Sequence, residues 1–192
     1  MRRARLAIMV GSRGRGSNMG NLIEACRDGR IPAQVSVVVG SSANAPALEI
    51  AEAAGVVTEI VPTGDDYGLR LLRTLLHHRS SHLALAGYLA LLPVEVVHAF
   101  PRRLLNVHPA LLPKFGGKGM FGLNVHAAVL AAGEAESGAT VHYVTERYDE
   151  GEAIVQRRCP VLATDTAETL AARVLIEEHA AYIEAWQKVL AG

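Results

Sequence analysis

An amide and an imidazole stand two residues apart at the end of a short apolar run. Asn106 and His108 follow Leu104-Leu105 and are followed by Pro109, which ends regular structure. Residues two apart in a strand share a face, so both side chains would leave one face while Val107 points into a core. Such a pair can donate hydrogen bonds and move protons. A turn-forming asparagine and a structural histidine explain the same residues, and this segment leaves both interpretations open.

A glycine-rich segment near the N-terminus is a second candidate site. The stretch from Gly11 to Asn18 contains three glycines and lies between an apolar run and a helix-like segment. Backbone N–H groups converge at such a helix N-terminus, where the helix dipole favours an anion. Gly16, Ser17 and Asn18 therefore form a candidate phosphate site, although the spacing is not that of the dinucleotide fingerprint. A plain turn with a Ser or Asn helix cap is the alternative.

Apolar runs alternate with helix-like segments up to the Asn-His pair, which is typical of parallel strands covered on both faces. After the pair, an acidic turn joins two strand-like runs, which indicates an antiparallel hairpin. The predicted fold class is therefore α/β, with a doubly wound, mostly parallel sheet, a C-terminal antiparallel addition and a long C-terminal helix. Strands are expected at 6–10, 35–40, 58–61, 83–87, 104–108, 138–145 and 153–161, and helices at about 19–27, 46–54, 65–78, 94–100, 123–132 and 165–190.

The composition is that of an ordinary globular protein. Of the 192 residues half are apolar, and 19 basic residues balance 19 acidic ones. No charge excess favours nucleic acid, and no apolar run is long enough to span a membrane. The basic stretch from Met1 to Arg5 is interpreted as a solvated N-terminus rather than a signal peptide. Cys26 and Cys159 fit no metal or redox spacing, which favours free thiols in a cytoplasmic protein.

Five short motifs occur in order along the chain. They are Gly-Ser-Asn at 16–18, Ala-Gly-Tyr at 86–88, Asn-Val-His-Pro-Ala-Leu-Leu-Pro at 106–113, Gly-Ala-Thr-Val-His-Tyr-Val at 138–144 and Asp-Glu-Gly at 149–151. With these motifs the whole chain resembles the glycinamide ribonucleotide formyltransferases, which are folate-dependent. The resemblance implies formyl transfer from 10-formyltetrahydrofolate to the amine of glycinamide ribonucleotide, in purine biosynthesis.

The resemblance also implies the organisation and partners of the protein. We expect a single formyltransferase domain over residues 1–192, with a phosphate-binding half to about residue 100 and a catalytic and folate-binding half from about 101. The expected partners are the two small-molecule substrates, without metal, nucleic acid or membrane. The protein would be a monomer or a homodimer in the cytoplasm.

The catalytic roles follow from the reaction that the resemblance implies. An amine that attacks a formyl carbon forms a tetrahedral intermediate with an oxyanion. Asn106 would donate a hydrogen bond to this oxyanion, and His108 would assist charge and proton transfer. Asp149 would be the acid that favours protonation of His108, and His142 would order the network.

Substrate contacts are implied in the same way. Gly16, Ser17 and Asn18 would hold the phosphate, and Glu178 would bind the ribose. Ala90 and Gly64 depart from the family pattern, because many members carry basic residues there, and these changes concern contacts to the folate tail. The folate would lie against Leu89, Ala90, Leu91, Leu92, Asn106, Thr145, Glu146, Arg147, Tyr148 and Asp149.

A second glycine-rich stretch, 116–122, follows the central motif. It is expected to be an irregular loop, either a plain surface loop or a mobile loop near the substrate with Lys118 as a candidate contact. Rival functions are a formyltetrahydrofolate hydrolase, another folate-dependent formyl transfer, and a nucleotide-binding module without catalysis. We expect neither the extra C-terminal domain of methionyl-tRNA formyltransferases nor the extra N-terminal domain of the hydrolases.

Overall fold

The computed structural model describes residues 3–12 and 14–191. Met1, Arg2, Arg13 and Gly192 lie outside the described residues, so part of the basic N-terminal stretch and one position of the first glycine-rich segment are not covered. The strands are β1 (Ala4–Val10), β2 (Ala33–Gly40), β3 (Thr58–Ile60), β4 (His82–Ala86), β5 (Leu104–His108), β6 (Glu136–Tyr143) and β7 (Ala153–Pro160). The helices are α1 (Ser17–Arg27), α2 (Pro46–Ala53), α3 (Tyr67–His77), α4 (Val94–Ala99), α5 (Leu123–Ala131) and α6 (Ala167–Ala191).

The strands form one sheet in the order β3-β2-β1-β4-β5-β6-β7. Strand β1 pairs in parallel with β2 and β4, and β2 pairs in parallel with β3, whereas β6 and β7 are antiparallel. The predicted fold class is therefore confirmed. Strand β6 begins and ends two residues earlier than expected, since the Thr145 side chain accepts a hydrogen bond from the Arg147 N–H (3.3 Å) and forms a turn there.

Two compact units divide the chain. The first comprises Met1–Leu105 and Trp186–Gly192, and the second comprises Asn106–Ala185. The expected halves met near residue 100, and the observed division differs mainly in adding the end of α6 to the first unit. The single formyltransferase domain itself stays a prediction.

The first unit has its core where its unbroken apolar runs lie. The side chains of β1 from Leu6 to Val10 are fully buried, and α1 buries Met19, Leu22 and Ile23 on one face. This burial explains the apolar runs, because parallel strands covered on both sides have no solvent-facing residues. Cys26 is a buried free thiol, and burial raises its pKa to about 11.

The second unit has its own apolar cluster. Val129 of α5, Cys159 of β7 and Leu170 and Val174 of α6 pack together, and the Phe115 ring packs against them. Helix α6 begins at Ala167, two residues after the expected start, and Thr166 Oγ1 accepts a hydrogen bond from the Thr169 N–H (3.3 Å). In the part of the chain that the structure describes, no helix has both the length and the apolar character that a membrane span requires.

Candidate active site

Strand β5 presents the Asn-His pair from a largely buried backbone. Leu104 and Leu105 are buried, and Val107 points into the core as the alternation predicts. The His108 side chain is also buried, while Asn106 is only partly covered. The strand ends at His108, immediately before Pro109. The apolar residues of β5 therefore fix the backbone from which the two polar side chains project.

His108 has a partner at each ring nitrogen. Its Nε2 donates a hydrogen bond to the Phe115 carbonyl (2.8 Å), and its Nδ1 lies 3.5 Å from Asp149 Oδ2. A carbonyl oxygen can only accept, so Nε2 carries the hydrogen in this arrangement. Nδ1 is left facing a carboxylate, which is the position where a second proton on the ring would be stabilised.

Burial and charge oppose each other at His108. Burial lowers the pKa of His108, and this effect exceeds the increase caused by the Asp149 charge and the Phe115 hydrogen bond. Burial alone would raise the pKa of Asp149, but the adjacent His142 ring, the His108 ring when it is protonated, and the Gly117 N–H together lower it. The expected influence of Asp149 on His108 is present, yet the resting imidazole is neutral at neutral pH and the carboxylate is ionised.

His142 connects the amide to the same carboxylate. Its Nδ1 donates to the Tyr143 carbonyl (2.9 Å). Its Nε2 lies 3.2 Å from Asn106 Nδ2 and 3.5 Å from Asp149 Oδ1. Within the second unit, the structure thus brings together four of the predicted residues. We call Asn106, His108, His142 and Asp149 the polar cluster.

Two unusual backbone conformations direct groups towards His108. Phe115 and Asp149 both have positive φ angles, 58° and 55°, a region that non-glycine residues seldom adopt. Asp149 is held there by the N–H of Gly117, which donates to Oδ2 (2.9 Å). A Cβ at Gly116 would lie 2.6 Å from Leu112 Cδ2 and 3.2 Å from Asp149 Cβ. The glycines at 116 and 117 therefore let the loop approach the carboxylate.

A hydroxyl that no sequence motif singles out supports the segment that links His108 to Phe115. Thr140 of β6 is fully buried and its Oγ1 donates to the Ala110 carbonyl (2.7 Å). The same oxygen accepts from the Leu112 N–H (3.0 Å) and from Gln156 Nε2 (3.0 Å). Gln156 also donates to the Leu112 carbonyl (2.8 Å). A threonine inside an apolar strand run was the available signal, and we call Thr140 and Gln156 the hydroxyl clamp.

His126 is a second residue whose position was not evident from sequence. It lies on α5, is almost fully buried, and its Nδ1 has no hydrogen-bond partner among the described residues. Burial lowers its pKa, and the charge of His108 lowers it further. A positive charge on His108 therefore disfavours protonation of His126.

The first glycine-rich segment leads into helix α1 without a side-chain cap. Helix α1 begins at Ser17, and Gly16 occupies the N-cap position with φ 76° and no side-chain cap hydrogen bond. The first turn contains no acidic residue, and the Gly20 N–H bonds to the Gly16 carbonyl (2.8 Å). The alternative of a Ser or Asn side-chain cap is therefore not what the structure shows. We call Gly16, Ser17 and Asn18 the glycine loop.

The remaining predicted contact residues lie on loops and on α6. In the first unit Leu89, Ala90 and Leu91 are exposed, whereas Leu92 is buried. In the second unit Glu178 is half-buried on α6. Their roles towards folate and ribose stay predictions, as do those of the hairpin residues Thr145, Glu146, Arg147 and Tyr148. Among the described residues, no group of three or more His, Cys, Asp or Glu side chains is arranged to hold a metal ion.

A mostly parallel α/β sheet with a partly covered amide, two buried imidazoles and a carboxylate around one strand end is typical of an α/β enzyme with an acid–base site. Within this class the chain belongs to the formyl transferase family, whose family model matches residues 4–186. The resemblance seen in the sequence motifs is thus confirmed.

Named relatives agree with this assignment. A chloroplastic phosphoribosylglycinamide formyltransferase from Vigna unguiculata is 44% identical over 189 residues, which cover 96% of this chain and 60% of the relative. The phosphoribosylglycinamide formyltransferase of Escherichia coli strain K12 is 36% identical over 91% of this chain and 82% of its own. A crystal structure of phosphoribosylglycinamide formyltransferase from Brucella melitensis has a TM-score of 0.89 and 40% identity, and covers 100% of this chain and 97% of that one. The chain thus spans less than two thirds of the plant relative's length.

Proposed function

We propose that this protein transfers a formyl group from 10-formyltetrahydrofolate to the amine of glycinamide ribonucleotide. The observation that carries the proposal is the polar cluster, in which Asp149 lies 3.5 Å from a nitrogen of His108 and 3.5 Å from a nitrogen of His142. The names of the relatives, phosphoribosylglycinamide formyltransferase, supply the acceptor. The formyl donor is inferred from the family resemblance.

Asn106 stabilises the charge that forms when the amine attacks. The attack makes a carbon–nitrogen bond and moves the carbonyl electron pair onto oxygen. Asn106 Nδ2 has two hydrogens, and the contact with His142 Nε2 at 3.2 Å orients the amide before substrate arrives. An amide that is already oriented donates to the oxyanion without reorganisation, which is the source of its catalytic effect.

His108 moves the protons. Its Nε2 hydrogen, which goes to the Phe115 carbonyl here, is given to the leaving nitrogen of the folate as the carbon–nitrogen bond to that atom breaks. The proton lost by the attacking amine returns to the ring at Nδ1, on the side of Asp149. The low pKa of His108 keeps Nδ1 free to accept it, and the ionised carboxylate stabilises the charge that develops.

Binding of the two substrates is assigned to the groups that the sequence indicates. The glycine loop holds the phosphate of the ribonucleotide through backbone N–H groups at the start of α1. Glu178 contacts the ribose, and the loops at 89–92 and 145–149 contact the folate. The reaction requires no metal or nucleic acid partner, and we place it in the cytoplasm, in a monomer or a homodimer.

A coupled assay tests the proposal. Purified protein is mixed with 10-formyltetrahydrofolate, and tetrahydrofolate release is followed with and without glycinamide ribonucleotide. We expect release that depends on the ribonucleotide, with formylation of its amine. Equal release without the acceptor would indicate a formyltetrahydrofolate hydrolase, and binding of both compounds without turnover would indicate a nucleotide-binding module.

A further inference from the structure

The cationic side chains of the second unit are almost all neutralised by neighbouring carboxylates. Every residue from 106 to 185 is described, and the unit's Lys and Arg residues are Lys114, Lys118, Arg147, Arg157, Arg158 and Arg173. Five of these six lie within 4 Å of a carboxylate, with pairs such as Lys114–Glu134 (2.7 Å) and Arg158–Glu136 (3.0 Å). Lys118 is exposed and has no hydrogen-bond or ion-pair partner among the described residues.

Lys118 directly follows a residue whose backbone contacts the polar cluster. Gly117, its neighbour, donates its N–H to Asp149 Oδ2 (2.9 Å), and the Gly117 carbonyl accepts from the Met120 N–H (3.1 Å). Lys118 is therefore the second residue of a β-turn whose first residue is anchored on the catalytic carboxylate. The turn is also held at its far side, since Asn124 Nδ2 donates to the Gly119 carbonyl (3.4 Å).

Asp149 and Lys118 do not form an ion pair in the described part of the chain. The carboxylate already has three partners, the His142 and His108 rings at 3.5 Å and the Gly117 N–H at 2.9 Å. A solvated lysine that is unpaired, on an anchored turn next to the reacting groups, is available for an anionic group of a substrate. Both proposed substrates carry such groups, a phosphate on the acceptor and the glutamate carboxylates on the donor.

We infer that Lys118 is a substrate-binding residue that pairs with an anionic group of one of the two substrates. The inference rests on the proposed function. Loss of one charge-assisted hydrogen bond weakens binding by about tenfold or somewhat more. Because the contact is to a remote anion and not to the reacting atoms, it affects KM and leaves kcat nearly unchanged.

The experiment measures kcat and both KM values for wild type, Lys118→Met, Lys118→Arg and Lys114→Met in the coupled assay. Lys114 is a matched control because it lies four residues earlier and its ammonium is paired with Glu134. We expect Lys118→Met to raise one KM about tenfold, Lys118→Arg to retain most of the affinity, and Lys114→Met to behave like wild type. An increase that arginine does not rescue, or unchanged KM values in Lys118→Met, would overturn the inference.

Substrate analogues identify the anion. The acceptor arm compares glycinamide ribonucleotide with the riboside that lacks the phosphate, and the donor arm compares 10-formyltetrahydrofolate with 10-formyltetrahydropteroate, which lacks the glutamate. The KM penalty of Lys118→Met disappears with the analogue whose missing anion it binds, and a penalty that persists with both analogues contradicts the pairing. If wild type transfers formyl groups and the variant is normal, only the inference fails. If wild type shows no transfer, the proposed function fails and the inference fails with it.

Discussion

The polar cluster and the glycine loop are built on opposite principles. The polar cluster depends on specific side chains. His108 and His142 each donate from one ring nitrogen to a backbone carbonyl and face Asp149 with the other. In the glycine loop, we propose that the backbone binds the phosphate, and Gly16 has φ 76° with no side-chain cap on α1. We therefore expect a side-chain change in the polar cluster to affect turnover, and a backbone change in the glycine loop to affect substrate binding.

The difference also has an electrostatic side. His108 and His142 are buried, so their interactions with the Asp149 charge are strong and depend on which atoms face each other. Ser17, at the start of α1, is exposed, so its region relies on backbone dipoles that do not titrate. We therefore expect pH dependence to originate in the polar cluster and not in the glycine loop.

The largest expected effect is that of removing the Asn106 amide from the polar cluster. Asn106→Ala should lower kcat by roughly two to three orders of magnitude, the scale of one lost oxyanion donor. KM for glycinamide ribonucleotide should change little, because the proposed phosphate contacts lie in the glycine loop. Asn44→Ala is the control, since Asn44 is an exposed asparagine outside both regions. A near-normal kcat in Asn106→Ala would remove the amide from the mechanism.

Neutralising the carboxylate sharpens the electrostatic contrast. Asp149→Asn should reduce kcat by roughly 10- to 100-fold, since proton transfer through His108 loses its charged partner. The Asp149 charge raises the pKa of His108 against the effect of burial, so its removal lowers that pKa further. Protonation of Nδ1 stops the reaction, and the acidic limb of the kcat profile should therefore move to lower pH. A limb that stays in place would contradict the pairing of His108 with Asp149.

The helices and strands were predictable because each corresponds to a local pattern of apolar and polar residues. The apolar runs of β1 and β2 and the Leu104–His108 strand were expected and are observed, and the terminal residues of most elements shift by only a few positions. The sequence predicted a mostly parallel sheet but not the order of its strands. Neighbouring strands such as β1 and β4 are far apart in sequence, so no local pattern shows that they pair.

The residues of the polar cluster could be named from the sequence, whereas the residues of the hydroxyl clamp could not. Asn106, His108 and Asp149 stand in motifs, whereas Thr140 is one hydroxyl in an apolar strand and shows its role only through its contacts to Ala110 and Leu112. The direction of the pKa shift of His108 could not be predicted from the sequence either. The outcome at His108 depends on how far burial outweighs a carboxylate 3.5 Å away, and burial is a property of the folded chain.

A backbone change tests the glycine loop. In Gly16→Ala the new Cβ would sit at φ 76°, 3.2 Å from Ala47 Cβ, so the loop must shift. We expect KM for the ribonucleotide to rise about tenfold while kcat stays within about twofold, as expected for lost ground-state binding. Gly20→Ala is the matched control, because a Cβ at this helical position meets nothing within 4 Å. Equal KM values for the two variants would show that Gly16 conformation is irrelevant to binding.

The smallest expected effect on turnover is that of changing the hydroxyl clamp, which contacts the backbone of Ala110 and Leu112 and not the polar cluster itself. Thr140→Val keeps the shape but leaves the buried Leu112 N–H and Ala110 carbonyl without their partner, a cost of about 1–3 kcal/mol in the free energy of unfolding. Thr140→Ser keeps the hydroxyl and loses only a methyl group, about 1 kcal/mol. Since Phe115 follows this segment and accepts from His108, we expect kcat to fall severalfold in Thr140→Val and to stay near wild type in Thr140→Ser. Urea unfolding and kcat are measured on both variants, and a serine variant as slow as the valine variant would show that packing, and not the hydroxyl, positions His108.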